Sequence, residues 1–129
     1  MGDQCFVNIC ESLAAWEQRI VEATSQSRLV VVDCMARWCG PCKYMRPHFD
    51  NLSRRYPHVL FLRVDIDQLR SLAIDMDIQG FPTFIFIKNG REIERLLGAN
   101  KEELQQKVAL HAQQMNHYSH ALTSHHALS

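Results

Sequence analysis

No run of apolar residues in the 129-residue chain approaches the roughly 20 needed to cross a bilayer as a helix, so no membrane-spanning role is expected. An excess of one charge is also lacking, because 14 basic residues balance 14 acidic ones. A balanced chain has no electrostatic reason to seek nucleic acid or an anionic lipid surface. Met1-Gly2-Asp3-Gln4-Cys5 carries an early acid and no basic stretch, so no secretory leader is expected. Met1-Gly2 meets only the first demand of N-myristoylation, and lipidation is not expected either. Neither an internal repeat nor a linker interrupts the chain.

Hydrophobic residues make up 47% and charged residues 22%, which suits one soluble globular domain with one core. The five cysteines are Cys5, Cys10, Cys34, Cys39 and Cys42. An odd number without a leader argues against a structural disulfide framework. The thiol is therefore the default state, and the question is which cysteines do chemistry.

The apolar pattern resolves into short elements. Residues 5–9 read as a first strand. Leu13, Trp16, Ile20 and Val21 recur at helical spacing, which predicts a helix over 12–25. Leu29-Val30-Val31-Val32 is a β-branched run suited to a central strand covered on both faces. A helix over 41–56 follows, with Pro41 in its first turn and Pro47 inside it, where a kink is expected. A second strong strand spans 59–65 and a short helix 68–76. The third strand spans 81–87, and Asn89-Gly90 is a strong hairpin signal that returns the chain along 92–97. Asn100 with Glu103 resembles a capping box for a last helix through Leu104, Val108 and beyond His111. The order β-α-β-α-β-α-β-β-α predicts an α/β fold with parallel crossovers and a terminal antiparallel hairpin.

A domain over 1–111 is expected, followed by a histidine-rich tail over 112–129. His111, His117, His120, His125 and His126 fall near or within that tail. A frayed or disordered helix extension explains them more simply than a weak metal site, because no acid or cysteine completes a ligand set.

Cys39-Gly40-Pro41-Cys42 lies between a buried strand and a helix start. A thiolate is the attacking species, so its pKa must fall from about 8.5 toward neutrality. The free N–H groups and positive dipole of a helix N-terminus favour that. Two intervening residues bring a second thiol within reach to resolve a mixed disulfide. Cys39, at the junction, is expected to be the exposed attacker, and Cys42, one turn in, the buried resolving thiol. Pro41 stiffens the turn and removes one N–H. A C-x-x-C can instead be half of a zinc site, but no second ligand pair stands at a suitable spacing.

The segment Val32-Asp33-Cys34-Met35-Ala36-Arg37-Trp38-Cys39-Gly40-Pro41-Cys42-Lys43, with Gly80-Phe81-Pro82-Thr83 and Gly98-Ala99-Asn100, resembles the thioredoxin family over about residues 5–111. The resemblance implies a thioredoxin fold, with a central mixed five-stranded sheet flanked by about four helices. It implies a thiol–disulfide oxidoreductase that reduces protein disulfides and binds no cofactor. The redox group would be the Cys39–Cys42 disulfide, recharged with electrons from NADPH by a thioredoxin reductase. The lowered thiol pKa is itself a property of the family's C-x-x-C. By the same resemblance Asp33 is a buried acid that takes the proton of Cys42. Pro82 is a cis-proline shaping a substrate groove. Trp38, Gly40, Pro41, Phe81 and Gly98 would contact substrate. A monomer working in the cytoplasm is expected.

Some residues depart from the family pattern. Met35 occupies a variable position. Phe81 stands where Ile or Met is more usual, and Gly-Phe-Pro-Thr also occurs in disulfide isomerase domains. Arg63 falls where some members carry Lys, and an ion pair with Asp33 would lower the acid's pKa and weaken it as a base. Cys34 reads as a packed core thiol, and Cys5 and Cys10 as partly buried. The competing functions are a thioredoxin-like adaptor with little turnover and a disulfide oxidase or isomerase; Pro41 in place of His argues against the latter.

Overall fold

Alternation of side chains decides which face each strand covers. In β2 (Val30–Met35), Val30, Val32 and Cys34 join one buried cluster, while Val31 joins another on the opposite face. The same split divides Leu60, Leu62 and Val64 from Phe61 in β3 (Leu60–Asp65). It divides Ile85 and Ile87 from Phe84 and Phe86 in β4 (Thr83–Lys88). Two apolar faces per strand require cover on both sides, which is why helices flank this sheet on each side.

The computed structural model describes residues 5–113. Its other elements are β1 (Val7–Cys10), α1 (Leu13–Ser25), α2 (Gly40–Arg55), α3 (Arg70–Asp75) and β5 (Arg91–Leu97), with α4 over 101–113. The five strands lie in the order β1-β3-β2-β4-β5. β3 runs parallel to both β1 and β2, and β4 runs antiparallel to β2 and β5. This is the mixed sheet that the element order implies. α1 and α3 supply Trp16, Ala23 and Leu72 to one cluster. α2 and α4 supply Met45, Phe49, Leu52, Leu104 and Val108 to the other.

The caps explain several boundaries. Ser12 Oγ accepts the Ala15 N–H at 3.0 Å and starts α1, and Asn100 Oδ1 accepts the Glu103 N–H at 3.0 Å before α4. Asn89 and Gly90 have φ of 53° and 76°, the pair of positive values a tight hairpin turn needs. α2 runs unbroken through Pro47.

β1 starts two residues later than its sequence suggests. The Phe6 N–H donates to Ser53 Oγ, and pairing with β3 begins at Val7 opposite Phe61. Cys10 is consequently paired with Val64 and 1% exposed, deeper than partial burial. α4 continues to residue 113 and buries Ala112 in the second cluster. His111 packs on Phe86 and bonds Glu94. Residues 114–129, with the expected tail's His117, His120, His125 and His126, lie outside the described residues.

Arg95 of β5 ties the end of α3 to the sheet. Its guanidinium donates to the carbonyls of Met76 and Asp77 and to the carboxylate of Glu92. Arg95→Ala leaves two carbonyls at a helix end without this donor, a loss of about 1 kcal/mol for a partly exposed group. We expect thermal unfolding to fall by about 4–8 °C; an unchanged midpoint would show that water replaces the guanidinium without loss.

Candidate active site

β2 ends at Met35, and the chain crosses Ala36, Arg37 and Trp38 before α2 begins. Cys39 is the residue that caps α2. Its backbone is extended at φ −85° and ψ 111°, and its Sγ accepts the Cys42 N–H at 3.2 Å. Pro41 stands in the first turn, where a missing N–H removes no helical bond. A disulfide joins Cys39 to Cys42 across a Cα–Cα distance of 5.2 Å, within the usual range for such a bridge.

The expected contrast between an exposed Cys39 and a buried Cys42 is absent in this state, since both residues are 5% exposed. Each sulfur covers the other once they are bonded, so exposure does not separate their roles. The two residues differ in position: Cys39 caps the helix with its Sγ accepting the Cys42 N–H, and Cys42 lies inside the first turn.

Around the pair the surface is partly apolar. Gly40 and Pro41 are exposed, and Trp38 is 66% exposed. The Trp38 ring meets Phe81 edge-on, with centroids 5.6 Å apart, and its Nε1 donates to Asp67 Oδ2 at 2.8 Å. The Phe81–Pro82 peptide is cis. Gly98 donates its N–H to the Pro82 carbonyl at 2.9 Å and holds φ at +107°, a value that favours glycine. Trp38, Phe81, Pro82 and Gly98 are thus connected, with Pro82 buried and Phe81 packed against the cluster that holds both cysteines.

Asp33 sits in the middle of β2 rather than at a strand end, and it is 2% exposed. Arg63, directly across the ladder on β3, donates from Nε to Asp33 Oδ2 at 3.0 Å. The pair does pull the acid's pKa down, as expected of an ion pair, but it does not decide the outcome. Burial raises it to about 6, with the Arg63 charge opposing and the nearby Asp50 carboxylate adding to the rise. Removing a carboxylate from water in mid-sheet outweighs one cation. Asp33 therefore changes charge near neutrality, the range in which a base can both take and return a proton.

The chain matches the family profile described as Thioredoxin over residues 8–110. It is 45% identical over 100 residues to a Thioredoxin H-type of Picea mariana, spanning 78% of this chain and 80% of that one. It is 44% identical over 102 residues to Thioredoxin H1 of Arabidopsis thaliana, spanning 79% of this chain and 90% of that one. A crystal structure of a poplar wild-type thioredoxin h superposes with a TM-score of 0.79 at 36% identity, covering 81% of this chain and 95% of that one.

This chain belongs to the thioredoxin family. It is a thiol–disulfide oxidoreductase and a protein-disulfide reductase.

Other residues of this thioredoxin's site carry no signal in the spacing of the sequence. Asp67 is reached by Trp38 only because the β3–α3 connection folds beside the active-site loop. Asp50 of α2 accepts from Arg63 Nη2 at 2.8 Å; its one signal is its place beside Phe49, a residue of the helix's inner face. Cys34 lies on the opposite face of β2 from Asp33 and is 0% exposed, and burial drives its thiol pKa upward. It is held as a thiol and packs as core. Among the described residues no three His, Cys, Asp or Glu side chains gather as a metal set, and no helix is long and apolar enough to cross a membrane.

Proposed function

We propose that Cys39 is the attacking thiolate, Cys42 the resolving thiol and Asp33 the base that serves Cys42. The observation that carries this reading is the N-cap geometry, in which Cys39 Sγ receives the Cys42 N–H at 3.2 Å. A donor and a helix dipole aimed at one sulfur favour its anionic form. In the first step Cys39 thiolate attacks one sulfur of a substrate disulfide. A Cys39–substrate bond forms, the substrate S–S bond breaks, and the leaving sulfur takes a proton. In the second step Cys42 gives its proton to Asp33 and attacks Cys39 Sγ. The Cys39–Cys42 bond forms and the second substrate sulfur leaves as a thiolate, protonated in turn. Two electrons and two protons pass to the substrate.

Trp38, Gly40, Pro41, Phe81, Pro82 and Gly98 form the proposed docking surface, supported by the exposure of Trp38, Gly40 and Pro41 and by the contacts that tie Phe81, Pro82 and Gly98 to Trp38. The redox group is the cysteine pair itself, so no bound cofactor is invoked. Family membership supports recharging by a thioredoxin reductase with electrons from NADPH. The three free cysteines, Cys5, Cys10 and Cys34, support a reducing compartment such as the cytoplasm. The test is reduction of insulin disulfides by NADPH and a thioredoxin reductase with this protein as carrier. Turnover that depends on the protein is expected; none, with the reductase shown active on another carrier, would overturn the recharging assignment.

The Trp38–Asp67 bond has its own consequence. Asp67→Ala releases the indole, and a lost hydrogen bond of about 1 kcal/mol should raise KM for a protein disulfide about threefold to fivefold. Reduction of a small aromatic disulfide, which needs less of the surface, should not change. Equal effects on both substrates would argue that Asp67 acts on the cysteines instead.

A further inference from the structure

The guanidinium of Arg63 is split between two carboxylates. Its Nε bonds Asp33 Oδ2 at 3.0 Å, and its Nη2 bonds Asp50 Oδ1 at 2.8 Å. These two nitrogens share one edge of the guanidinium, the edge that ordinarily closes on both oxygens of a single carboxylate. Asp50 occupies half of that fork. Among the described residues Asp33 Oδ1 has no hydrogen-bond partner, although it is fully buried. Asp33 and Cys42 line one cavity of about 360 Å³ together with Lys43, Arg46 and Arg63. The Arg63 guanidinium also lies over the Phe49 ring at 5.6 Å, which holds its plane in place.

We propose that Asp50 is a positioning residue for the resolving step: it holds Arg63 Nη2 and so keeps one oxygen of Asp33 free to take the proton of Cys42. The proposal rests on the reading of Asp33 as that base. Without Asp50, the fork can close on both Asp33 oxygens. The oxygen that receives the proton is then engaged, and the carboxylate becomes a weaker base. The proton still passes from Cys42 Sγ to Asp33, the Cys42–Cys39 bond still forms and the substrate thiolate still leaves; only the base strength changes. The charged and titratable groups near Asp33 are Arg63 and Asp65 of β3, Cys34 of its own strand, and Cys42, Lys43, Arg46 and Asp50 of α2, with Glu11 and Arg37 at the cavity rim. Asp50 is the one among them bonded to the nitrogen that would otherwise complete the fork.

The experiment compares Asp50→Ala, Asp50→Asn and Asp33→Asn with the unaltered protein. Asparagine keeps an oxygen for Arg63 Nη2 and drops the charge, whereas alanine removes both. Reduced protein is mixed with a dithiobis(nitrobenzoate) probe. With Cys5, the one free cysteine that is not buried, replaced by serine in every protein compared, the first nitrothiobenzoate released reports attack by Cys39, and the second reports resolution by Cys42. In parallel, the Asp33 carboxyl is titrated by carbon NMR in the folded disulfide form. Asp50→Ala should move the Asp33 midpoint down from about 6. It should slow the second release about threefold to tenfold and leave the first unchanged. Asp50→Asn loses only the charge that Asp50 adds and should lower the midpoint and the rate clearly less than Asp50→Ala does. An unmoved midpoint in Asp50→Ala, or equal shifts in the alanine and asparagine variants, would overturn the positioning role; the latter assigns the effect to charge alone. Resolution in Asp33→Asn as fast as in the unaltered protein from pH 5 to 8 would overturn the base reading itself. The NMR arm reads folded molecules only, so a destabilised variant still reports.

Discussion

Replacing Cys39 by serine should reduce insulin-disulfide turnover by about three orders of magnitude or more, because the variant loses the nucleophile itself. Replacing Cys42 by serine should give a different failure. The first attack survives, nothing displaces the substrate, and a protein–substrate mixed disulfide accumulates on Cys39. Mass spectrometry of the two variants after exposure to an oxidised protein substrate separates these outcomes. The adduct should appear on Cys42→Ser and not on Cys39→Ser. The assignment comes from the N-cap alone, since the two residues are equally buried in the disulfide. An adduct on Cys39→Ser, held by Cys42, would reverse the roles. A reductase rate in Cys39→Ser equal to that of the unaltered protein would favour the adaptor reading over the enzyme.

The active-site segment is legible in the sequence because its chemistry is local. A C-x-x-C at a strand-to-helix junction needs only three bonded neighbours and one N–H to be understood, and the structure puts Cys39 at the cap of α2. The β2 run, the Asn89-Gly90 turn and the Asn100 cap are local in the same sense. β1 is different: its start depends on Ser53 and on pairing with β3, partners more than 40 residues away. The charge balance at Asp33 is less legible still. An acid beside four apolar residues already suggests burial, but its proton affinity depends on whether burial or Arg63 prevails. That comparison requires the depth of the pair and the second carboxylate at Asp50, both set by how α2 packs across the sheet. Asp67 is invisible for the same reason, since two loops must meet before it touches Trp38.

Asp33→Asn should make the protein more stable at neutral pH and slower in its resolving step. The Asp33 pKa is raised from 3.8 to about 6 in the folded protein, so the native state holds this proton more tightly than the unfolded chain does. The favourable contribution of protonated Asp33 is fully present below about pH 4. It is lost as pH rises through about 6, and the ionised carboxylate then carries a constant cost of about 2–3 kcal/mol. Asparagine resembles the protonated acid at every pH, and its amide oxygen still accepts from Arg63, whose charge keeps Asp50 as partner. Urea denaturation should therefore show the variant ahead by about 2–3 kcal/mol at pH 8 and level with the unaltered protein near pH 4. Its resolving step should slow by about one to two orders of magnitude above pH 6, where the unaltered carboxylate is free to act. A variant less stable than the unaltered protein at pH 8 would mean that the Asp33–Arg63 pair, not burial, governs this site. Greater stability without the slower step would leave Asp33 a buried charge with no role in the reaction. The two results together would show a carboxylate whose burial weakens the fold while tuning it to the proton it must take from Cys42.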